Sequence, residues 1–262
     1  MDSVYNELLS ENGVKSYFVN NNLQSLPVFC YDETDSTNTR AKVYAQDGGD
    51  EAVFIADRQT AGRGRRGRSF NSESGGLYIS FLTRPKESAR DAVLITVRAA
   101  VALCRVIEKN CALTPKIKWV NDVVVNDKKL AGILTEGVFD NNGSFLYAIC
   151  GVGLNLYDRS FPEEISEIAT TIETLTGKRV CREKIAADLT EEFFKEQKTE
   201  DVIKEYVARS SVIGEKVTVH TISESYPALA VGINERAELI VEREDGERVA
   251  LFSGEVSIRK SK

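Results

Sequence analysis

Glu51-Ala52-Val53-Phe54-Ile55-Ala56-Asp57-Arg58-Gln59-Thr60-Ala61-Gly62-Arg63-Gly64-Arg65-Arg66-Gly67-Arg68-Ser69-Phe70-Asn71-Ser72 begins with a run that reads as a buried strand. Gly62-Arg63-Gly64-Arg65-Arg66-Gly67 then matches the dinucleotide fingerprint G-x-G-x-x-G letter for letter. That fingerprint needs a helix to open at its last glycines, so that the helix N-terminus meets the pyrophosphate. Here a polar turn follows, and then Leu77-Tyr78-Ile79-Ser80-Phe81-Leu82, a second strand. A Rossmann site is therefore ruled out. No GxxxxGK[ST] occurs either, which removes a P-loop kinase or ATPase.

Residues 58–68 hold five arginines and three glycines and no acid. Glycine lets backbone N–H groups approach an anion, and arginine adds fixed, bidentate donors for phosphate or carboxylate. The whole chain has a net charge of −6, so this local reversal calls for a cause. An Arg-Gly loop for nucleic acid is one reading. Against it stand the acidic balance, the single aromatic near the loop (Phe70) and the lack of a second basic face.

Further out, residues 28–31 read as a short strand. Asp35-Ser36-Thr37-Asn38 supplies capping residues before a helix over 39–45, which Gly48-Gly49 stops. Apolar residues at near-helical spacing predict a long helix over 89–108. Short strands follow at 117–119, 123–125, 130–136 and 145–156, with turns at Asn126-Asp127 and 140–143. A helical stretch covers 182–209. The texture changes at Ser210-Ser211, beyond which short alternating runs at 216–219, 229–233, 237–241 and 248–252 predict a small β-barrel. The expectation is an α+β fold, with one domain over residues 1–210 and a second over 211–262.

The 262 residues are 42% hydrophobic and 28% charged, an ordinary globular composition. No apolar run approaches the roughly 18 residues that cross a bilayer. The first seven residues carry no basic or apolar leader, so the expectation is a cytoplasmic protein with no membrane partner. Five cysteines without a CxxC pair read as reduced thiols, not as a disulfide frame or zinc site. The lone histidine, His220, reads as a surface or edge-strand residue, and histidine-based hydrolysis is nearly excluded.

A second constellation is Lys116-Ile117-Lys118-Trp119-Val120-Asn121-Asp122, followed by Asp127-Lys128-Lys129-Leu130-Ala131-Gly132-Ile133-Leu134-Thr135-Glu136. Strict alternation from Lys129 puts Ala131, Ile133 and Thr135 on its face, where a lysine among apolar neighbours points into a pocket. Gly151-Val152-Gly153-Leu154-Asn155 ends a strand with glycines two apart, which permits close approach of something flat or bulky.

In order and spacing, these segments resemble the biotin–protein ligases (biotin–[acetyl-CoA-carboxylase] ligases) from about Val28 to Arg259. The carrying motifs are 35–38, 59–68, 77–80, 118–122, 129–136 and 151–155, with 254–259 like the close of that family's C-terminal domain. The resemblance implies a mixed-sheet catalytic domain related to class II synthetases and lipoate ligases, followed by an SH3-like barrel. It implies that ATP and Mg2+ convert biotin to biotinyl-5′-AMP, whose acyl group passes to a lysine of a biotin carboxyl carrier protein. Ser36, Thr37, Asn38 and Gln59 would hold the ureido end of biotin, with Gly132 also lining its site. Arg63, Gly64, Arg65 and Lys129 would lie along the carboxylate and phosphates. Arg68, Phe70, Lys118, Asn121 and Asn155 would serve the nucleotide, and Asp122 would orient or deprotonate the incoming amine, or only cap a strand end.

Two positions depart from the family. Val120 stands where the family often has Pro, which keeps the strand and frees φ. Phe70 stands for Trp, which keeps an aromatic wall without the indole N–H. Some relatives carry an N-terminal DNA-binding domain; the acidic residues 1–35 are too short for one, so a ligase-only form with no nucleic-acid partner is implied. A homodimer through a sheet edge is common in the family. A lipoate or octanoyl ligase would share the fold, without the Arg-Gly loop. The loop itself is expected to be mobile until anions arrive, then to close over the adenylate.

Overall fold

The structure is a computed structural model that describes residues 9–84, 92–143, 145–221 and 224–252, with the backbone alone over 257–260. Three sequence expectations lie outside the described residues: the leader-free start at residues 1–7, the first turn of the long helix at 89–91, and the closing motif at 254–256.

In chain order the elements are α1 (Glu11–Ser16), β1 (Val28–Thr34), α2 (Thr37–Gln46), β2 (Ala52–Gln59), β3 (Gly76–Thr83), α3 (Ala92–Cys111), β4 (Lys116–Lys118), β5 (Asp122–Val125), β6 (Lys128–Phe139) and β7 (Phe145–Asn155). Then come α4 (Glu163–Ser166), α5 (Ile172–Thr176), α6 (Arg182–Phe194), α7 (Thr199–Ala208), β8 (Lys216–His220), β9 (Ser225–Ile233), β10 (Leu239–Glu242), β11 (Arg248–Leu251) and β12 (Ser257–Lys260). The first seven strands form one mixed sheet in the order β1-β2-β3-β7-β6-β5-β4, in which only β1 and β2 run parallel. The last five form an antiparallel sheet, β11-β10-β9-β8-β12, where the sequence predicts the small barrel.

The large sheet has two unlike faces. One meets α3, whose inward residues from Ile95 to Ile107 are buried against Val53, Ile55, Ile79, Phe81, Ile133 and Val152. Each such aliphatic side chain stabilises the fold by roughly 1.5–3 kcal/mol. α6 packs on the same layer, with Phe193 stacked on Phe81 at 4.2 Å between centroids. The other face meets α2 only in part: Ala41 and Ala45 cover Phe54, Leu82 and Ile149. Beyond them it is left to polar residues and glycine, and the site lies there.

Several sequence expectations are corrected. The predicted helix over 182–209 is two helices, α6 and α7, parted by an extended segment around Lys195 and Lys198. Trp119-Val120-Asn121 is a turn between β4 and β5, not strand, and the Trp119–Val120 peptide is cis. His220 lies on β8, paired on both sides by β9 and β12, so it is not on an edge strand. The β5–β6 connection is the expected tight hairpin, with Asn126 and Asp127 both at positive φ (51° and 58°), as a two-residue primed turn requires.

Candidate active site

The site begins where β1 runs into α2. The Asp35 carboxylate accepts the Ser36 N–H at 2.7 Å and is gripped by the Arg40 guanidinium at 3.0 and 2.8 Å. Those Arg40 bonds hold its carboxyl below the ordinary 3.8. α2 starts at Thr37, two residues earlier than predicted. Ser36 stands at the N-cap without a side-chain capping bond. Ser36, Thr37 and Asn38 are buried, and Thr37 and Asn38 turn inward to the sheet instead of capping the helix.

A polar chain fixes these groups. Gln59 Oε1 accepts from the Thr37 N–H at 2.8 Å and the Thr37 hydroxyl at 3.1 Å. Its Nε2 therefore faces Ser72 Oγ, at 3.0 Å. Ser80, fully buried on β3, lies 2.7 Å from Thr37 Oγ1 and 2.6 Å from Asn38 Oδ1. Asn38 Nδ2 donates to Glu136 Oε2 at 2.7 Å, and Arg63 Nη2 donates to the same oxygen at 3.0 Å. Glu136 thus joins the helix start to the arginine loop.

No helix opens after the glycines. Arg63 pairs with Ser69 in an isolated bridge, the Gly64 N–H donates to the Arg68 carbonyl at 2.7 Å, and residues 65–67 make a single 3-10 turn with Arg66 and Gly67 at positive φ. The Rossmann exclusion stands. The five arginines are dispersed by this fold. Arg58 leaves the loop at the end of β2 and pairs with Glu33 and Glu73. Arg65 turns inward and donates to Asn121 Oδ1 at 3.0 Å. Burial, with Arg66 and Arg68 nearby, pulls its pKa down against the attraction of Asp122. Arg68 is exposed.

Lys129 overturns the alternation argument. Val123 pairs with Ala131 and Val124 with Lys129, so Leu130 is an extra residue, a β-bulge that shifts the phase of β6. Lys129 consequently shares a face with Gly132: a Cβ built on Gly132 would lie 3.1 Å from Lys129 Cε and Nζ. Ala131, Ile133 and Thr135 belong to the opposite face, where the Thr135 hydroxyl lies 2.7 Å from that of Thr96 on α3. The ammonium of Lys129 lies 2.6 Å from Asp122 Oδ1 and 5.8 Å from the centroid of Phe70. Lys118 is opposite Asp122 in the β4–β5 register.

The glycines clear the floor. A Cβ on Gly153 would lie 2.4 Å from Phe70 Cε1, and one on Gly151 would lie 2.2 Å from Asn38 Oδ1. Both distances are below any real contact, so only glycine fits beneath these side chains. Phe70 also stands edge-on to Tyr78, 6.4 Å between centroids.

Ser36, Thr37, Asn38, Gln59, Arg63, Arg65, Phe70, Asn121, Asp122, Lys129 and Gly132 thus gather around one face of the sheet, with Gly64 in the loop above them. Asn155 joins through Arg159, which the sequence reading missed. Arg159 donates to Asn155 Oδ1 (2.6 Å), Tyr78 OH (2.5 Å), Glu73 O (2.8 Å) and Asn71 O (3.3 Å). Ser72, Ser80 and Glu136 were missed as well. Glu136 was within reach of the parity argument, since Gly132, Leu134 and Glu136 alternate. Among the described residues no group of three or more His, Cys, Asp or Glu is placed to hold a metal.

Comparison with known proteins agrees with this architecture. Residues 30–155 match the Biotin/lipoate A/B protein ligase family. A biotin–[acetyl-CoA-carboxylase] ligase of Paracoccus denitrificans is 30% identical over 82% of this chain and 94% of its own length. A bifunctional ligase/repressor of Bacillus spizizenii is 29% identical over 87% of this chain and 72% of its own. The biotin protein ligase of Aquifex aeolicus, solved in complex with biotin and ATP, superposes with a TM-score of 0.78 at 30% identity, over 90% of this chain and 99% of that one. The chain belongs to the biotin protein ligases, within the biotin/lipoate A/B protein ligase family.

Proposed function

We propose that this protein is a biotin–[biotin carboxyl-carrier protein] ligase. In the first half-reaction a biotin carboxylate oxygen attacks the α-phosphorus of ATP. The bond to pyrophosphate breaks and biotinyl-5′-AMP remains. In the second, the amine of a carrier lysine attacks the acyl carbon, the bond to phosphate breaks, and AMP leaves. The observation that carries this reading is the convergence of three segments on one glycine-cleared face: the buried polar start of α2, the arginine loop and Lys129.

The roles follow from polarity. Ser36, Thr37, Asn38 and Gln59 form the buried polar end and suit the ureido group, which both donates and accepts hydrogen bonds. Gly132 and Gly153 seat the Phe70 ring close on the sheet, and that ring offers a wall to the flat, apolar body of the ligand. Arg63, Arg65 and Lys129, with Gly64 in the loop between the two arginines, set positive charge where a carboxylate and a phosphate must meet, so the main task is neutralisation and positioning. Asn155, Asn121, Lys118 and Arg68 lie toward the nucleotide. Asp122 orients the incoming amine and helps remove its proton.

Magnesium fits as a companion of the nucleotide. Mg2+ keeps most of its waters and needs few protein ligands, in agreement with the lack of a dense acid cluster among the described residues. Held with the nucleotide, it would supply neutralisation of phosphate charge. Nucleic acid fits poorly, because the chain carries a net charge of −6 and Arg58 leaves the loop to pair with Glu33 and Glu73. A cytoplasmic setting suits the thiols: burial pushes Cys104 and Cys150 up to about 12, which keeps them protonated and inert. We place the domain boundary near Ser211.

The test is pyrophosphate release with ATP and biotin, followed by label transfer to a carrier domain. Release should require biotin. Release driven by lipoate or octanoate instead, or RNA binding that weakens with salt in a protein that ignores biotin, would refute the reading.

A further inference from the structure

We infer that the C-terminal sheet holds the Asn121-Asp122 end of the site in place through one hydrogen bond, from the Trp119 indole to the Ala237 carbonyl. The inference rests on the placement of Lys129 and Arg65 proposed above.

Trp119 Nε1 donates to Ala237 O at 3.0 Å, across 118 positions of sequence, and both residues are buried. Ala237 sits between β9 and β10 at φ 59°, a left-handed conformation that an L side chain adopts at a cost. Asn234 holds the turn in that shape. Its Oδ1 accepts the backbone N–H groups of Arg236 and Glu238, each at 3.0 Å, and its Nδ2 donates to Glu238 Oε2 at 2.7 Å. The Ala237 N–H donates to Asn234 O at 2.9 Å. The carbonyl that meets Trp119 is therefore aimed by the side chain of Asn234.

At the other end, Trp119 opens the turn that carries the site groups. Tyr206 OH donates to the Val120 carbonyl at 2.9 Å. The Asn121 carbonyl accepts the Ile133 N–H at 2.9 Å, its Nδ2 donates to Ile133 O at 2.8 Å, and its Oδ1 accepts from Arg65. Asp122 follows directly and meets Lys129. A shift of this turn moves the partners of both inward cations together. The biotin end, at Ser36, Thr37, Asn38 and Gln59, is built from β2, β3 and α2, with Asn38 also bonded to Glu136 on β6, and none of these hydrogen bonds goes to the turn. Trp119 and Asn234 are thus positioning residues for the adenylation half of the site.

The experiment compares Trp119→Phe, Asn234→Ala and the double variant in the full chain. Calorimetry reads biotin affinity, and biotin-dependent exchange of pyrophosphate into ATP reads kcat and the KM for ATP. Phenylalanine keeps the ring but leaves the buried carbonyl without a donor. Both single variants should keep biotin affinity within about twofold while exchange falls roughly tenfold or more, the scale expected of a small misplacement of charge. The double variant should be no worse than the single ones, since both cut one link, whereas independent defects multiply. Normal exchange in Trp119→Phe, parallel loss of biotin affinity and exchange, or multiplying effects would each overturn the inference. Should Trp119→Phe fail to fold, Asn234→Ala alone decides by the same split. Lys129→Ala runs alongside: if that variant exchanges normally, the site assignment itself is wrong.

Discussion

Replacing Lys129 with alanine is the sharpest perturbation of this site, because the chemical role proposed for its side chain is separate from the structural role of its backbone. The backbone of Lys129 is held whatever its side chain: its N–H donates to Ile168 O at 2.6 Å, and its carbonyl accepts the Thr170 N–H at 3.0 Å. The side chain is one-third exposed, with Asp122 and the Phe70 ring beside it. The fold should therefore survive, with a Tm change of at most a few degrees, as for other half-exposed ion pairs. A unit charge about 4 Å from a reacting phosphate, at an effective dielectric near 20, contributes roughly 4 kcal/mol, or about a thousandfold in rate. Asp122 offsets part of that field, so a loss of roughly a hundredfold or more in adenylation is expected. The assay is biotin-dependent pyrophosphate exchange at saturating ATP, with biotin affinity measured separately. A variant that exchanges at the wild-type rate, or one that unfolds, would refute the reasoning.

Other expectations follow from the same geometry. Asp122→Asn removes a charge without changing shape. If Asp122 serves the incoming amine, transfer to the carrier falls while exchange persists, and equal losses in both half-reactions would leave it as the counter-ion of Lys129 alone. Gly151→Ala places a Cβ 2.2 Å from Asn38 Oδ1, in a side chain held by Ser80, which donates to Oδ1, and by Glu136, which accepts from Nδ2. Biotin affinity by calorimetry should fall roughly tenfold or more, the scale of a broken buried hydrogen bond, and undiminished affinity would contradict the placement of Asn38. Residues 60–68 should be cut by a trypsin-like protease in the free protein and protected by biotinyl-AMP; equal cutting in both states speaks against closure. Asp35 is held below its ordinary value by Arg40. For Asp188, burial would raise the value, but bonds from Lys184, Asn110 and Lys109 outweigh it. A lowered carboxyl contributes stability above its unfolded pKa and loses it as pH falls, so Tm should hold down to about pH 5 and drop below about pH 4. Asp188→Asn should flatten that drop, and an acid limb unchanged in the variant would show that Asp188 plays no part in it.

Much of the fold was legible because its signals are local. β2 and β3 announce themselves by composition, α3 by period, and the β5–β6 hairpin by two residues that tolerate positive φ. What was not legible depends on partners far along the chain. The bulge at Leu130 exists only relative to β5, and one extra residue sends Lys129 to the opposite face from the one alternation predicts. The break between α6 and α7 carries no Gly or Pro. It is spanned by tertiary ion pairs: Arg105 reaches Glu192 on α6 and Glu205 on α7, and Arg209 reaches Glu108 on α3. Arg159 acts on Tyr78 and on the loop end near Asn71, about 80 positions away, and no spacing rule points there.

The two faces of the large sheet join these observations. On β7, Ala148, Cys150, Val152 and Leu154 are apolar and join the core beneath α3, whereas on the alternate positions Gly151 lies under Asn38 at the start of α2 and Gly153 under Phe70. A strand whose second face is bare of side chains cannot bury apolar surface there and loses stability for it. Glycine in such positions is explained by what must approach the backbone, and here Asn38 and Phe70 already do so at distances that exclude a Cβ. Lys129, carried to this same face by the bulge, and the arginines folded over it then supply positive charge beside the carboxylates of Asp122 and Glu136. On the proposed function, a sheet built this way sacrifices packing on one side to hold a flat ligand with an acidic tail. The misphased lysine is therefore part of the same construction as the glycines: without the extra residue at Leu130, its ammonium would lie against α3, on the side of the sheet where an anion could not follow.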